Sequence, residues 1–227
     1  GNGAQKAGDI LISALAKAGY QVFIEPIIPA EISPPKRTPY SMSGVVIRLA
    51  DGTLTNIGDY SEYMVVEHEI LLERRLDDGD YSKNATVILD MGDEKRAKDA
   101  YAAAIKRAES LGLTVIPFHR SEALNQVISD LGGRGKNMVY LGVLSALFEI
   151  PLDRIKAIVG NTFKKLSADV LEKNQSLCDM GYQIATEGIQ NRHPLPDQAQ
   201  TSTDEILMDA NTALAMGIID AGIKLYS

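Results

Sequence analysis

The chain has 227 residues, 45% hydrophobic and 23% charged, enough to bury the core of one ordinary domain with a short appendage. Its 23 Lys+Arg against 30 Asp+Glu give a net charge of -7, which argues against a nucleic-acid partner, because neutralising phosphates needs a concentrated basic surface. A single cysteine, Cys178, excludes an intrachain disulfide, a zinc ribbon and a self-contained iron-sulfur cluster; no apolar run approaches the ~18 residues of a membrane span and no signal-peptide layout opens the chain, so a cytoplasmic protein without a membrane partner is expected.

A helix is predicted from about Lys6 to Ala18, ended by Gly19, and a strand follows in YQVFIE. PIIPAEISPPKRTPY, residues 26–40, carries five of the nine prolines and reads as a long loop. GVVIRL and TLTNIG, joined by ADG, predict an antiparallel hairpin with Asp51 and Gly52 at its turn. YMVVE (63–67), ATVILD (85–90) and LTVIPF (113–118) are short apolar runs separated by the helical patterns HEILLERRL and EKRAKDAYAAAIKRAESL. Buried strands alternating with helices give an α/β class: a three-layer α/β/α domain with a mostly parallel sheet, mixed through the hairpin, and a helical C-terminal region.

From Ser121 the pattern is helical in SEALNQVISDL, KNMVYLGVLSALFEI, PLDRIKAIVGNTFKKL and ADVLEKNQSLCDMGYQIATEG, punctuated by Gly133, Gly135 and Pro151. Residues 189–205, built around QNRHPLPDQAQTSTD, read as a polar linker. The remainder, EILMDANTALAMGIIDAGIKLYS, turns apolar again. LGVLSALFEI and ALAMGIIDAG are apolar around most of the helix circumference, so a homo-oligomer or a partner subunit is expected to cover them.

The opening GNGAQK invites a dinucleotide reading. Gly1 and Gly3 take the first two places of G-x-G-x-x-G, and Glu25 stands where a ribose-binding acid would. Lys6 occupies the third glycine's place and no strand precedes Gly1, so a full dinucleotide site is not expected; a free-standing nucleotide-binding α/β protein is the alternative to the reading below. What remains is an anion site: Gly3 keeps the backbone open, the amides of Ala4 and Gln5 face a phosphate or carboxylate, and Lys6 adds charge. Against it stands the plainer reading of Lys6 as a solvated surface residue. In the proline-rich loop Lys36 and Arg37 offer two further cations for an acidic partner or a phosphate.

No catalytic residue and no metal ligand is expected. His68, His119 and His193 lack the spacing of a metal site; Asp90, ending a strand, sits where open α/β sheets bind ligands yet where carboxylates often cap the next helix; Cys178 reads as a packing residue.

GNGAQKAGDILISALAKAGYQVF resembles the opening of the gamma-type domain of 2-oxoacid:ferredoxin oxidoreductases of the 2-oxoglutarate/pyruvate type, written G-x-G-G-Q-G with an Ala-rich helix, A-G and a strand. PAEIS, VVIRLAD and GDYSEYMVVEHEILLERRL continue the similarity, as do the closing helices with Asn174, Gly181 and Tyr182 in an N-x-x-x-x-x-x-G-Y pattern. MDANTALAMGIIDAGIKLYS resembles the first helix of the alpha-type, pyrimidine-side domain: Ala210 replaces the motif's glycine, and Asn211, Ala213, Ala215, Gly217, Ala221 and Gly222 keep their places. The resemblance implies a gamma-type domain at 1–188, a linker at 189–205 and the truncated start of an alpha-type domain at 206–227.

The implied activity is oxidative decarboxylation of a 2-oxo acid to an acyl-CoA, with thiamine diphosphate, Mg and iron-sulfur clusters held elsewhere in the complex, and a beta-type subunit and ferredoxin as partners. No cofactor is expected within this chain, since Gly79-Asp80 and Gly92-Asp93 lack the N-N companion of a diphosphate motif. It reads as a non-catalytic fragment cut at both ends, inert alone, supplying subunit contacts and CoA or substrate access. Gly1, Gly3, Gln5, Lys6 and Arg37 are the candidate anion- or CoA-binding residues. Departures from the family pattern fall on these loops: Ala4 and Lys6 replace glycines, and Ser33, Pro34 and Pro35 stand where R-G-G is usual.

Overall fold

The computed structural model describes residues 2–28, 43–50, 52–196 and 206–224. Helix α1 spans Asn2–Ala16, beginning four residues before the predicted start, and the chain leaves it through Gly19 at φ 96. Residues 2–6 of the opening GNGAQK are therefore helix rather than loop: among them Gly3 opposes helix formation most, and a glycine costs only about 1 kcal/mol there. One glycine of α1 is required by packing. A Cβ at Gly8 would stand 2.8 Å from Val45 Cγ2 and 3.1 Å from Ile24 Cδ1, so the helix sits directly on the strands beneath it.

Those strands are β1 (Gln21–Ile27) and β2 (Gly44–Ala50), paired antiparallel from Gln21 opposite Ala50 to Ile27 opposite Gly44. The antiparallel partner of β2 is thus β1, not TLTNIG. Residues 53–58 form no strand. VVIRLA finds in QVFIEPI a partner equally apolar, whereas TLTNIG offers only Leu54 and Ile57 to bury. Arg48 ties the 53–58 segment down instead, donating to the Asn56 carbonyl (3.3 Å) and side chain, while Asn56 Oδ1 accepts from Gly58 N at 3.0 Å. Asp51, expected at the turn, lies outside the described residues.

The three apolar runs become β3 (Ser61–Val66), β4 (Tyr81–Asp90) and β5 (Thr114–Phe118), a parallel sheet in the order β3-β4-β5 and separate from the β1-β2 ribbon. The crossovers carry α2 (Glu69–Asp78) and α3 (Lys98–Ser110), the latter preceded by a single 3-10 turn at Glu94–Arg96. They cover one face of the sheet, where Leu72, Leu76, Tyr101 and Ala104 bury against Met64, Val66, Val87 and Leu89. On the other face Tyr63, Val65, Ile88 and Ile116 meet a helical layer of α4 (Glu122–Asp130), α5 (Lys136–Leu147), α6 (Leu152–Thr162) and α7 (Ala168–Gly188). The α/β class with a parallel sheet holds as read.

Helix α5 is wrapped inside this layer, with Met138, Leu141, Val143 and Leu147 at 0–1% exposure. The expectation that its apolar circumference needs a partner subunit is overturned, because the sheet and α7 already cover it. Helix α7 lies so close that a Cβ on Gly142 would penetrate the Cys178 carbonyl oxygen, and one on Gly181 that of Val139. Helix α8 (Ala210–Asp220), N-capped by Asp209, is the opposite case: Leu214, Met216 and Ile219, with Ile223 just beyond, are each more than half exposed.

Candidate functional site

The carboxyl ends of β3, β4 and β5 bring Glu67, Asp90 and Arg120 to one edge of the sheet, the edge at which open α/β folds seat ligands. Asp90, the last residue of β4, is 1% exposed. Its Oδ2 accepts from Arg120 Nε at 2.9 Å, from Arg120 Nη2 and from Tyr140 Oη at 2.6 Å; Oδ1 accepts from Gly92 N at 2.7 Å. The Tyr101 hydroxyl reaches the Asp90 carbonyl at 3.3 Å, so β4, β5, α3 and α5 converge on this residue. Gly92 is glycine because Arg120 lies across it: a Cβ there would overlap the guanidinium.

Electrostatically the cluster is closed. Burial, then the Asp90 charge, holds the Tyr140 phenol well above its ordinary value, so it stays a hydrogen-bond donor. Burial pulls the Arg120 guanidinium down, but the Asp90 charge and hydrogen bond outweigh it and the net shift is upward. The Asp90 carboxylate thus has four donors, and the arginine that neutralises it lies across Gly92. This arrangement locks β4, the end of β5, α3 and α5 together. Of the two readings of Asp90, ligand-edge residue or helix cap, the second is overturned, since neither the 3-10 turn nor α3 has a side-chain N-cap; Asp90 does lie at the carboxyl edge, paired with Arg120. No local motif marks Arg120 or Tyr140, although a tyrosine within the largely apolar α5 is a signal, since a buried phenol needs a partner.

Among the candidate anion-site residues, Gly3, Gln5 and Lys6 lie together in the first turns of α1, and Gly1 and Arg37 lie outside the described residues. Neither α1 nor α5 carries an acidic residue in its first turn. The two helix starts are joined by Asn137, whose side-chain amide donates to the Gly3 carbonyl at 3.0 Å. Lys6 is half exposed and pairs with Asp9 one turn on at 3.3 Å, so part of its charge is met locally. Lys36, Ser33, Pro34 and Pro35 also fall outside the described residues.

The remaining polar candidates disperse. His68 is the N-cap position of α2, and His119 lies exposed at the end of β5, lining a small apolar cleft of about 160 Å³ with Ile184 and Gly188. His193 stands edge-on to Tyr63 with ring centroids 5.3 Å apart. Cys178 is buried, and burial pushes its thiol up to about 12, as suits a packing residue rather than an activated thiolate. Among the described residues no group of three or more His, Cys, Asp or Glu could hold a metal ion, and no helix is long and apolar enough to cross a membrane.

Residues 1–184 match the family model described as pyruvate ferredoxin/flavodoxin oxidoreductase. The chain is 27% identical over 235 residues to the 2-oxoglutarate oxidoreductase subunit KorA of Mycobacterium tuberculosis, covering 98% of this chain and 35% of the relative. Its fold is similar to the solved 2-oxoglutarate:ferredoxin oxidoreductase from Magnetococcus marinus with 2-oxoglutarate, coenzyme A and succinyl-CoA bound. The TM-score is 0.72 at 24% identity, over 94% of this chain and 34% of that one, a likeness of fold. The chain spans about a third of the length of the relatives it matches.

Proposed function

The chain belongs to the pyruvate ferredoxin/flavodoxin oxidoreductase family, and from that premise we propose that residues 1–188 are the gamma-type domain of a thiamine-dependent 2-oxoacid:ferredoxin oxidoreductase. Residues 189–205 are then the connection and 206–227 the start of its alpha-type domain. The observation that carries this reading is the family match over residues 1–184, on a fold alike over 94% of the chain. The exposed apolar α8 supports the second domain, because a helix of this composition belongs in a core.

The assembled enzyme decarboxylates a 2-oxo acid, 2-oxoglutarate before pyruvate given the relatives, to an acyl-CoA and passes electrons to ferredoxin. Thiamine diphosphate supplies the carbanion chemistry and would be held with magnesium in the beta-type and alpha-type parts, because no acidic cluster among the described residues could hold magnesium, and the single thiol of Cys178 is too few for an iron-sulfur cluster. This chain supplies subunit contacts and, through Gly1, Gly3, Gln5, Lys6 and Arg37, an anion subsite for a CoA phosphate or the substrate carboxylate. The buried ion pair of Asp90 with Arg120, at the edge where a nucleotide would sit, favours this reading over a free-standing nucleotide binder.

The test is assembly. The polypeptide that contains this chain, co-expressed with its thiamine-carrying subunit, is expected to reduce a viologen dye in a 2-oxoglutarate- and CoA-dependent manner, and residues 1–227 alone are expected to be inert. Turnover by the isolated chain, or by the assembly without CoA, would overturn the proposal. For the subsite, sulfate, phosphate or CoA should raise the melting temperature of the chain while NAD does not. An anion-induced shift that survives Lys6→Glu would return Lys6 to the surface.

A further inference from the structure

Beyond α7 the chain does not depart directly into a linker. Ile189 is 7% exposed and donates to the Ala185 carbonyl at 2.8 Å; the backbone then runs back along the end of α5. His193 N donates to the Leu147 carbonyl at 2.8 Å and Leu195 N to the Phe148 carbonyl at 3.2 Å. The Tyr20 hydroxyl donates to the Pro196 carbonyl, and Arg192 lies 3.9 Å from Glu149. Leu195 packs on the core, and His193 stands against Tyr63, whose ring stands 4.9 Å edge-on to Phe148.

We infer that residues 190–196 are a latch: a strap that closes over the corner of Tyr20, Tyr63 and Phe148 and opens as a unit without unfolding the domain. Three features give it that independence. The carbonyls it engages belong to the last turn of α5 and the residue after it, and have no partner within the helix, so water replaces the strap at no cost in buried polar groups. Only Leu195 is half-buried and the rest of the strap is exposed, which is the contact density of a segment that opens locally. Pro194 and Pro196 restrict the open chain, so closing it loses little backbone entropy.

The latch sets the point of departure. Closed, the chain leaves the domain at Pro196, beside the start of β1; open, it leaves at Ile189 on α7. Covalent reach from those two points to Asp209, the cap of α8, is at most about 45 Å and about 70 Å respectively. The closed latch therefore confines where α8 can dock. That last step rests on the reading of α8 as the start of a second domain; the latch itself rests on its own contacts.

Residue-resolved hydrogen exchange on residues 1–227 tests it apart from any activity. The amides of His193 and Leu195 are expected to exchange on the order of tenfold to a hundredfold slower than unprotected amides, and much faster than those of α5 and α7. Tyr20→Phe and, separately, Leu195→Asp should accelerate these two amides roughly tenfold and leave α5 and α7 unchanged. Unprotected amides in the parent chain would show that no strap closes. Protection equal to that of α7, lost together with it in either variant, would make the segment part of the core and overturn the latch.

Discussion

Asp90 joins β4, the end of β5 and α5 through its carboxylate and α3 through its backbone carbonyl, and the carboxylate's partners are not interchangeable in cost. Removing the guanidinium in Arg120→Met leaves a buried carboxylate without its counter-charge, and about 3–5 kcal/mol of stability should be lost. Tyr140→Phe removes one hydrogen bond to that charge and should cost about 1–3 kcal/mol. Urea unfolding of both variants checks the order, and equal losses would mean that the ion pair is no stronger than the phenol contact. Cys178 gives a pH signature. Its thiol is held protonated to about 12 against an ordinary value of 9.0, so the unfolded chain releases the proton first as pH rises. Its stabilising contribution is complete below pH 9 and is lost between there and about 12, at up to about 1.4 kcal/mol per pH unit. Cys178→Ala should flatten this slope when unfolding free energy is followed from pH 8 to 11, while Tyr140, raised in the same direction from 10.0, keeps a residual slope.

At the scale of elements, the contact of α5 with α7 is set by backbone rather than by side chains. Gly142 meets the carbonyl of Cys178 and Gly181 that of Val139, so an added methyl has no flexible neighbour to displace and the helices must part. Gly142→Ala or Gly181→Ala should therefore lose about 3 kcal/mol or more, above the usual range for overpacking. Gly160, within α6, is the control: its Cβ would stand at an ordinary 3.6 Å from Gln175 Nε2, and Gly160→Ala should gain about 0.5–1 kcal/mol from the helix alone. Melting temperatures of the three variants moving in one direction would contradict this account. Helices α4 and α7 begin where the sequence marks them, because Ser121 and Ser167 accept from Leu124 N and Val170 N as N-caps do.

At the scale of the molecule, helix α8 presents an apolar surface without cover among the described residues. Leu214, Met216 and Ile219 of α8 point to solvent in a chain whose other apolar helix, α5, is fully enclosed. Residues 1–227 alone should accordingly associate with rising concentration, through α8 and not through α5. Light scattering should report that association, and the double substitution Leu214→Lys with Ile218→Lys should abolish it without lowering the melting temperature of the α/β domain. Association unaffected by these substitutions would place the sticky surface elsewhere. The same openness agrees with the proposal that α8 enters the core of a second domain.

What the sequence by itself determined is everything that depends on periodicity and on local chemistry. The α/β class, the three parallel strands, the helices from Ser121 to Gly188 and the family resemblance were all legible, because runs of branched apolar residues and 3.6-residue patterns record which faces are buried. They do not record by what. That β2 pairs with β1 rather than with residues 53–58, that α5 is enclosed by its own domain while α8 is not, and that residues 190–196 return to the core were decided by tertiary structure. The site divides in the same way. Gly3, Gln5 and Lys6 stand close in sequence and their shared helix start was nearly legible, whereas Arg120 and Tyr140 reach Asp90 from 30 and 50 residues away. A buried charge is satisfied by whatever the packed chain brings within about 3 Å, and that proximity is a property of the fold that no local pattern carries.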